Sequence, residues 1–332
     1  MEKCLKVLIV GLGSIGKRHL DNLVTNFDAD IIICSKRKNL TSPIYKKCKI
    51  FNSIEQCIDE KPDVGFITNV TSEHVSSALK LVNAGIDVFI EKPLSNSLDK
   101  VDELSNLINE KKLISFIGCN LRFHKCFQKI KEIISNEELG KILSVQAHSG
   151  SFLPDWHPYE DYRTSYASKK ELGGGVVLTC IHEIDYLYWL FGDVQEVFAM
   201  NGKFSELELD VDDLAAILMK FKNDIVAEIH LDYFQKPDFR SCRIIGSKGT
   251  LYWDSEINTV KMYDPITKNW IEKISIPNYE RNTMYVDELK YFISCTKNRE
   301  NTVNNIDDGI KVLKIALSII NSSQKNCVMS IE

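Results

Sequence analysis

The sequence predicts an α/β chain in two parts: a parallel, doubly wound sheet, then an α+β domain built on an open, mostly antiparallel sheet. Three observations predict it. Apolar runs alternate with helical patterns from Leu5 to Asn120, the rhythm of right-handed crossovers in a parallel sheet. After Gly140 the texture changes, and from Val194 to Ile276 strands follow one another across short turns, which favours antiparallel pairing. The length, 332 residues, exceeds one ordinary domain. We place the first domain at residues 1–120 and the second at 121–332, with the last helices free to pack back on the first.

The first element is the apolar run Leu5 to Val10, a short buried strand. Gly11-Leu12-Gly13-Ser14-Ile15-Gly16 follows and opens a helical pattern. Strand, tight turn and helix in that order are what a Rossmann-type dinucleotide site requires. Gly11 permits the turn, Gly13 lets the backbone approach a pyrophosphate, and Gly16 lets the helix lie close to the strand. The free N–H groups of the helix start, at Ser14 and Ile15, suit phosphate oxygens. This makes residues 1–120 a dinucleotide-binding domain. The second strand, Ala29 to Cys34, ends in Ser35-Lys36-Arg37-Lys38. An acid there would select NAD through its ribose hydroxyl. A hydroxyl and cations suit a 2′-phosphate instead, so NADP is the expected cofactor, with NAD the alternative. The plain reading of the turn is a solvated basic loop.

Ile54 to Glu60 reads as a short helix and Pro62 to Asn69 as a strand. The next helix starts near Thr71-Ser72-Glu73-His74, with Thr71 or Ser72 as its cap, and ends at Gly85. Ile86 to Ile90 is a strand running into Glu91-Lys92-Pro93. Asn69 and Lys92 thus fall at strand ends, facing a ligand crevice. A helix from Leu98 to Glu110 and a strand from Ile114 to Asn120 complete the alternation, ahead of Leu121-Arg122-Phe123-His124.

In the second part, Lys141 to Phe152 reads as a strand. A long polar and aromatic loop, Pro154 to Tyr166, offers Trp156, His157, Tyr162, Arg163 and Tyr166 to a polyhydroxylated ligand; loops this long in compact domains are usually functional. Arg163 leads them, because a guanidinium grips phosphate or carboxylate with two bonds. Gly173-Gly174-Gly175 leads into one apolar helix, Val176 to Phe191, whose period places His182 and Asp185 on one face. Two helices close the chain, Thr283 to Lys297 and Ile306 to Ser322.

A net charge of −5 argues against a nucleic-acid partner. No apolar run approaches the roughly 18 residues of a membrane span, and the first strand begins too early for a signal peptide. Ten cysteines without a C-x-x-C pair read as reduced thiols of a cytoplasmic protein. The histidines His19, His74, His124, His148 and His230 lack metal-ligand spacing as a set, and no metal is assigned.

The glycine loop, Glu91-Lys92-Pro93, Asn120-Leu121-Arg122-Phe123, and Gly173-Gly174-Gly175 with His182-Glu183-Ile184-Asp185 stand in the order seen in the Gfo/Idh/MocA oxidoreductases, which the chain resembles over essentially its whole length. The resemblance implies hydride transfer between a nicotinamide and a sugar, polyol or nucleotide sugar. It also implies a second domain that binds substrate and builds homodimers or homotetramers on its sheet. Lys92 would hold the reacting oxygen and His182 would exchange the proton. The expected cofactor set is Gly11, Gly13, Ser14, Ile15, Gly16, Ser35, Lys36, Arg37, Asn69, Thr71, His74, Glu91 and Lys92. The expected substrate set is Lys92, Arg122, Trp156, His157, Tyr162, Arg163, Thr179, His182 and Asp185. Arg122 has a structural alternative, and Asp185 has the alternative of bonding nearby backbone. Inositol dehydrogenase-like members carry an aspartate four residues before the histidine, and here Leu178 stands there. That departure counts against a catabolic inositol or simple-sugar dehydrogenase, and the Trp-His-Pro…Asp-Tyr-Arg loop with Leu-Gly-Gly-Gly…His-Glu-Ile-Asp-Tyr resembles family members that imply a sugar or nucleotide-sugar oxidoreductase of bacterial surface-polysaccharide or unusual-sugar biosynthesis. The rival readings are a catabolic inositol or sugar dehydrogenase and a non-catalytic NAD(P)-binding regulator.

Overall fold

A computed structural model describes residues 4–37 and 41–331 of the chain, so Lys38 of the basic turn lies outside the described residues. The chain divides into two compact units. One holds Met1–Cys119 and Tyr285–Leu313, and the other Asn120–Met284 and Lys314–Glu332.

In the first unit β1 (Leu5–Val10), α1 (Ser14–Asn26), β2 (Ala29–Cys34), β3 (Lys49–Phe51), α2 (Ile54–Asp59), β4 (Val64–Ile67), α3 (His74–Asn83), β5 (Asp87–Glu91), α4 (Val101–Glu110) and β6 (Ser115–Gly118) follow one another. The strands pair in parallel in the order β3-β2-β1-β4-β5-β6 among the described residues. Helices on the crossovers cover both faces, which is why these strands read as unbroken apolar runs. An aromatic cluster fills one side: Phe66 stacks on Phe89 at 4.9 Å, and Phe116 and Phe292 close around them. The buried side of α1 is Gly16, His19, Leu20, Asn22 and Leu23, a helical stripe interrupted by an imidazole and an amide.

The second unit contains α5 (Lys125–Ser135), β7 (Ile142–Gly150), α6 (Val176–Thr179), α7 (His182–Phe191), β8 (Val194–Gly202), β9 (Leu214–Phe221), β10 (Val226–Asp232), β11 (Phe239–Gly246), β12 (Gly249–Asp254), β13 (Thr259–Asp264) and β14 (Asn269–Ser275). Two long helices, α8 (Asn282–Asn298) and α9 (Ile306–Lys325), and a short β15 (Met329–Ser330) end the chain. The sheet runs β14-β13-β12-β11-β7-β10-β9-β8-β15. Its pairs are antiparallel except β7 with β10. Those two strands are far apart in sequence, which leaves room for the crossover a parallel pair needs.

Three expectations are corrected. The helix after β4 begins at His74, behind a 3₁₀ turn Thr71–Glu73, and neither Thr71 nor Ser72 caps it. The helix expected from Leu98 begins at Val101, after Lys100 at φ 57°. The single helix expected over Val176 to Phe191 is two, because Cys180, at ψ 35°, leaves the helical region between them. His182 is therefore the first residue of α7, with Glu183 and Asp185 in its first turn, where carboxylates complement the helix dipole.

The close approach of α1 to the sheet rests on Gly16. A Cβ there would strike the Gly11 carbonyl oxygen and lie 2.7 Å from Thr68 Oγ1. Gly16→Ala is expected to cost about 1–3 kcal/mol by overpacking, read as a lower urea midpoint. Gly13→Ala adds its methyl where nothing lies within 4 Å and should move the midpoint far less. Equal effects would contradict this account of the packing.

Candidate functional site

Gly11 sits at φ +98°, and a side chain on it would come within 2.7 Å of the Asn69 backbone. Its N–H donates to Cys34 O at 3.0 Å, tying the turn to the end of β2. Gly13 is the N-cap of α1, and no side chain accepts from the helix's first turn. The bare Gly13 and the uncapped N–H groups that follow fit the pyrophosphate of a dinucleotide, which needs close backbone and unspent donors. At the end of β2, Ser35 is buried and its Oγ accepts the Arg37 N–H at 3.2 Å, while Lys36 and Arg37 are exposed.

The side chain of Asn69 donates to Glu73 at 3.2 Å and Ser77 at 3.0 Å, and its buried Oδ1 has no hydrogen-bond partner among the described residues. Thr71 is buried. His74 was expected at the cofactor, but its ring is committed to backbone. Nδ1 lies 2.8 Å from Pro93 O and Nε2 3.2 Å from Asn69 O. Burial pushes its pKa down, and the neutral ring, with a single N–H, donates to one of the two carbonyls, the shorter contact being Nδ1 to Pro93 O.

Glu91, also expected at the cofactor, is buried. At 6% exposed it accepts from His19 Nε2 at 2.7 Å and from the Lys92 N–H at 3.2 Å, so its carboxylate braces the lysine segment. Lys92 itself is half-buried, and the Lys92-Pro93 peptide is cis. Sequence reasoning missed Glu288. It is fully buried on α8, and its carboxyl can approach His19 and Glu91, the ligand atoms of the three lying within 4.8 Å of one another. Neither of its oxygens has a hydrogen-bond partner among the described residues. Burial and then the charge of Glu91 hold its pKa well above the usual range, so it keeps its proton. The signal was present: Glu288 lies on the helical stripe Tyr285-Glu288-Phe292.

In the second unit Arg122 and Asp185 are spent on each other. Arg122 Nε donates to Oδ2 at 3.0 Å and Nη2 to Oδ1 at 2.7 Å, with the residues 3% and 1% exposed. Both were expected on substrate, but buried charges must neutralise locally. Arg163 is paired too, but at the surface, with its side chain half exposed. It makes a bidentate pair with Asp161, at 2.9 and 2.8 Å, and reaches Glu208 at 3.5 Å. A phosphate would have to displace two carboxylates.

The rest of the loop is tied mainly to residues outside it. Trp156 Nε1 donates to Ser151 Oγ at 2.8 Å and the ring meets Tyr233 edge-on; Tyr162 Oη accepts the Glu208 N–H at 3.1 Å; His157 Nδ1 lies 3.2 Å from Tyr159 Oη. Thr179 is buried at the end of α6, and His182 is half-buried. Leu178 is buried. A carboxylate does reach the start of α6 from another part of the chain. Asp212 Oδ2 accepts the Val177 N–H at 3.3 Å, and burial raises its pKa. It stands in the turn before β9, where sequence reading saw only a connection.

A family model described as "Oxidoreductase family, NAD-binding Rossmann fold" matches residues 5–119, and one for the GFO/IDH/MocA C-terminal domain matches residues 127–252. The chain is 26% identical to the myo-inositol 2-dehydrogenase of Thermotoga maritima over 99% of both chains. It is 24% identical to the scyllo-inositol 2-dehydrogenase (NAD(+)) of Bacillus subtilis over 97% of this chain and 95% of that protein. Among solved structures, myo-inositol 2-dehydrogenase from Lactobacillus plantarum superposes with a TM-score of 0.83 at 22% identity, covering 99% of this chain and 100% of that one. Levoglucosan dehydrogenase in complex with NADH does so at 0.88 and 18%, with the same coverage. At these identities the structural likeness speaks for the fold.

Two outcomes test the buried charges. Arg122→Met should cost about 3–5 kcal/mol in urea unfolding by stranding Asp185, and adding Asp185→Leu should recover much of it; no recovery would disprove the pairing. For Glu288, the folded pKa lies above the ordinary value of about 4.3. Below that value both states hold the proton. As pH rises above it, the unfolded chain releases the proton and the folded one retains it, so stability declines. Glu288→Gln removes this loss, and its Tm relative to wild type should climb as pH rises above about 4.3; a difference that does not change with pH would show that Glu288 is charged in the fold.

Proposed function

The chain belongs to the Gfo/Idh/MocA family of NAD-binding oxidoreductases, and from that premise we propose that it is a dehydrogenase or reductase moving a hydride between NADP and a ring carbon of a cyclic polyol or sugar. The observation that carries the proposal is the pairing of an uncapped, glycine-opened helix start with Lys92 at the carboxyl end of β5 in the same parallel sheet. The nicotinamide, when bound, takes or gives the hydride. Gly13, Ser14 and Ile15 hold its pyrophosphate through backbone N–H groups. Lys92 donates a hydrogen bond to the reacting oxygen and stabilises its developing negative charge. Glu91 fixes the backbone from which Lys92 projects. His182 exchanges the proton, since an imidazole titrates near working pH.

The names of the curated relatives, inositol dehydrogenases, support a neutral polyhydroxylated substrate. A nucleotide sugar, as in surface-polysaccharide biosynthesis, requires a cation for its phosphates, and Arg163 is engaged with Asp161 and Glu208. The cyclic polyol or simple sugar is therefore the better supported class. For the cofactor, the exposed Lys36 and Arg37 and the lack of an acid in Cys34-Ser35-Lys36-Arg37 favour the 2′-phosphate.

Turnover is to be measured with a panel of inositols, sugars and nucleotide sugars. Lys92→Ala should lower it by about 10²–10⁴-fold while NADPH fluorescence on binding persists; unchanged turnover would refute the mechanism. Arg37→Ala should weaken NADPH much more than NADH in the same fluorescence titration. Equal losses would remove the 2′-phosphate reading and leave NAD as the cofactor.

A further inference from the structure

On the sheet of the second unit, strand register assembles a group of donors that sequence spacing does not reveal. β7 and β10 pair in parallel with His148 directly opposite His230. Side chains two apart on a strand share a face, so Asp232 stands beside His230. The two imidazoles stack at 4.7 Å with 6° between their planes. His230 Nε2 lies 2.9 Å from Asp232 Oδ2, and His148 Nε2 lies 2.6 Å from Gln235 Oε1.

Each oxygen donor is itself held. Asp232 is 1% exposed, and its Oδ1 accepts the N–H groups of Phe234 at 2.9 Å and Gln235 at 2.7 Å, leaving Oδ2 to face the imidazole. The Gln235 amide donates to Pro237 O at 3.2 Å, which turns Oε1 towards His148. Gly150 makes the convergence possible, because a Cβ on it would overlap both Asp232 Oδ2 and Gln235 Oε1. The histidines are half-buried and reachable from solvent.

We propose that His148, His230 and Asp232, with Gln235, form a binding site for one divalent transition-metal ion of the zinc class. Two imidazole nitrogens, a carboxylate and an amide oxygen are the borderline donor set that zinc, nickel and copper prefer over magnesium or calcium. One ligand atom from each of His148, His230 and Asp232 already lies within 4.8 Å of the others. A tetrahedral ion with bonds of about 2.0–2.1 Å needs them roughly 3.4 Å apart, a closure that rotation of the half-buried imidazoles supplies. On binding, the ion takes the place of the hydrogen in each Nε2–H···O bond. The ring proton moves to Nδ1, so neutral imidazoles bind without net proton release. Oδ1, held by two backbone N–H groups, acts as the outer support that orients a ligating carboxylate.

The test is zinc titration of the full chain against a chromophoric chelator. Cys4→Ser and Cys327→Ser serve as background, since those are the exposed thiols. One equivalent per chain is expected, with a cobalt(II) spectrum free of thiolate charge transfer. His148→Ala and His230→Ala should each weaken binding at least about tenfold, and Gln235→Ala less. The metal-free far-UV circular dichroism of all three variants should match the wild type, while His230→Ala lowers the Tm because it strips the buried Asp232 of a hydrogen-bond donor. Absence of stoichiometric binding would overturn the proposal, as would zinc affinity undiminished in the double histidine variant. None of these readouts depends on the substrate or the hydride chemistry, so failure here and failure of the functional proposal are separable.

Discussion

Glu91 carries a carboxylate into the interior at the carboxyl end of β5, and three elements are arranged by it. His19 of α1 donates to one oxygen, the Lys92 backbone N–H to the other, and Glu288 of α8 brings a second carboxyl close to the same group. The helix that starts at the glycine loop and the segment that carries the lysine are thereby fixed to one carboxyl group. Two carboxylates this close and this dry cannot both be ionised. Glu288 yields, because it is wholly buried without hydrogen-bond partners, whereas Glu91 has two donors. The result is a hydrogen-bonded carboxyl group, held rigidly at the base of the Lys92 segment by two donors. The aromatic cluster of Phe66, Phe89 and Phe292 walls this group, and His19 packs on both Phe66 and Phe89. That apolar wall keeps water from competing for the bonds.

The second unit solves its charge problem by closed pairs. Arg122 with Asp185 and Arg240 with Glu183 place guanidinium against carboxylate around α7, the second pair at 2.8 Å with Glu183 fully buried. Such pairs add little net stability over apolar packing, yet each partner is costly to remove. They fix the first turn of α7, and with it the backbone on which His182 stands.

Most of the fold was legible in the sequence because its signals are local. The apolar runs at Leu5–Val10 and Val64–Ile67, the glycine turn and the strand ahead of Lys92 need only period and composition. What was missed needs a partner. β3, three residues long at the sheet edge, has too short a pattern to stand out. The break at Cys180 lies inside an apolar stretch with no glycine or proline to mark it. Arg122 and Asp185 each carry a charge suited to a substrate, and nothing within either neighbourhood shows that they meet 63 positions apart. The parallel register of β7 with β10 is likewise a long-range fact, and local spacing rules for metal ligands pass over it. Glu288 differs, since the helical stripe Tyr285-Glu288-Phe292 that buries it is readable in the sequence.

Burial then sorts the candidate residues by what they can do. A charged group sealed below a few per cent exposure has already found its partner, or has given up its charge, and its chemistry is spent on the fold. Arg122, Asp185, Glu91 and Glu288 fall on that side, and His74, neutral between two carbonyls, joins them. A group in full solvent keeps its charge, but high dielectric and competing water leave it weak. Arg163, half-exposed and paired within its own turn, belongs there. Lys92 and His182 lie between these limits, half-buried at the end of a strand and the start of a helix. The acid–base work proposed for them requires that intermediate state. The group must be reachable by the reacting oxygen, yet dry enough for its hydrogen bond to count once water is displaced. Bracing by buried neighbours supplies the rest, since a lysine on a carboxylate-anchored backbone and a histidine on a charge-locked helix lose little freedom when they engage.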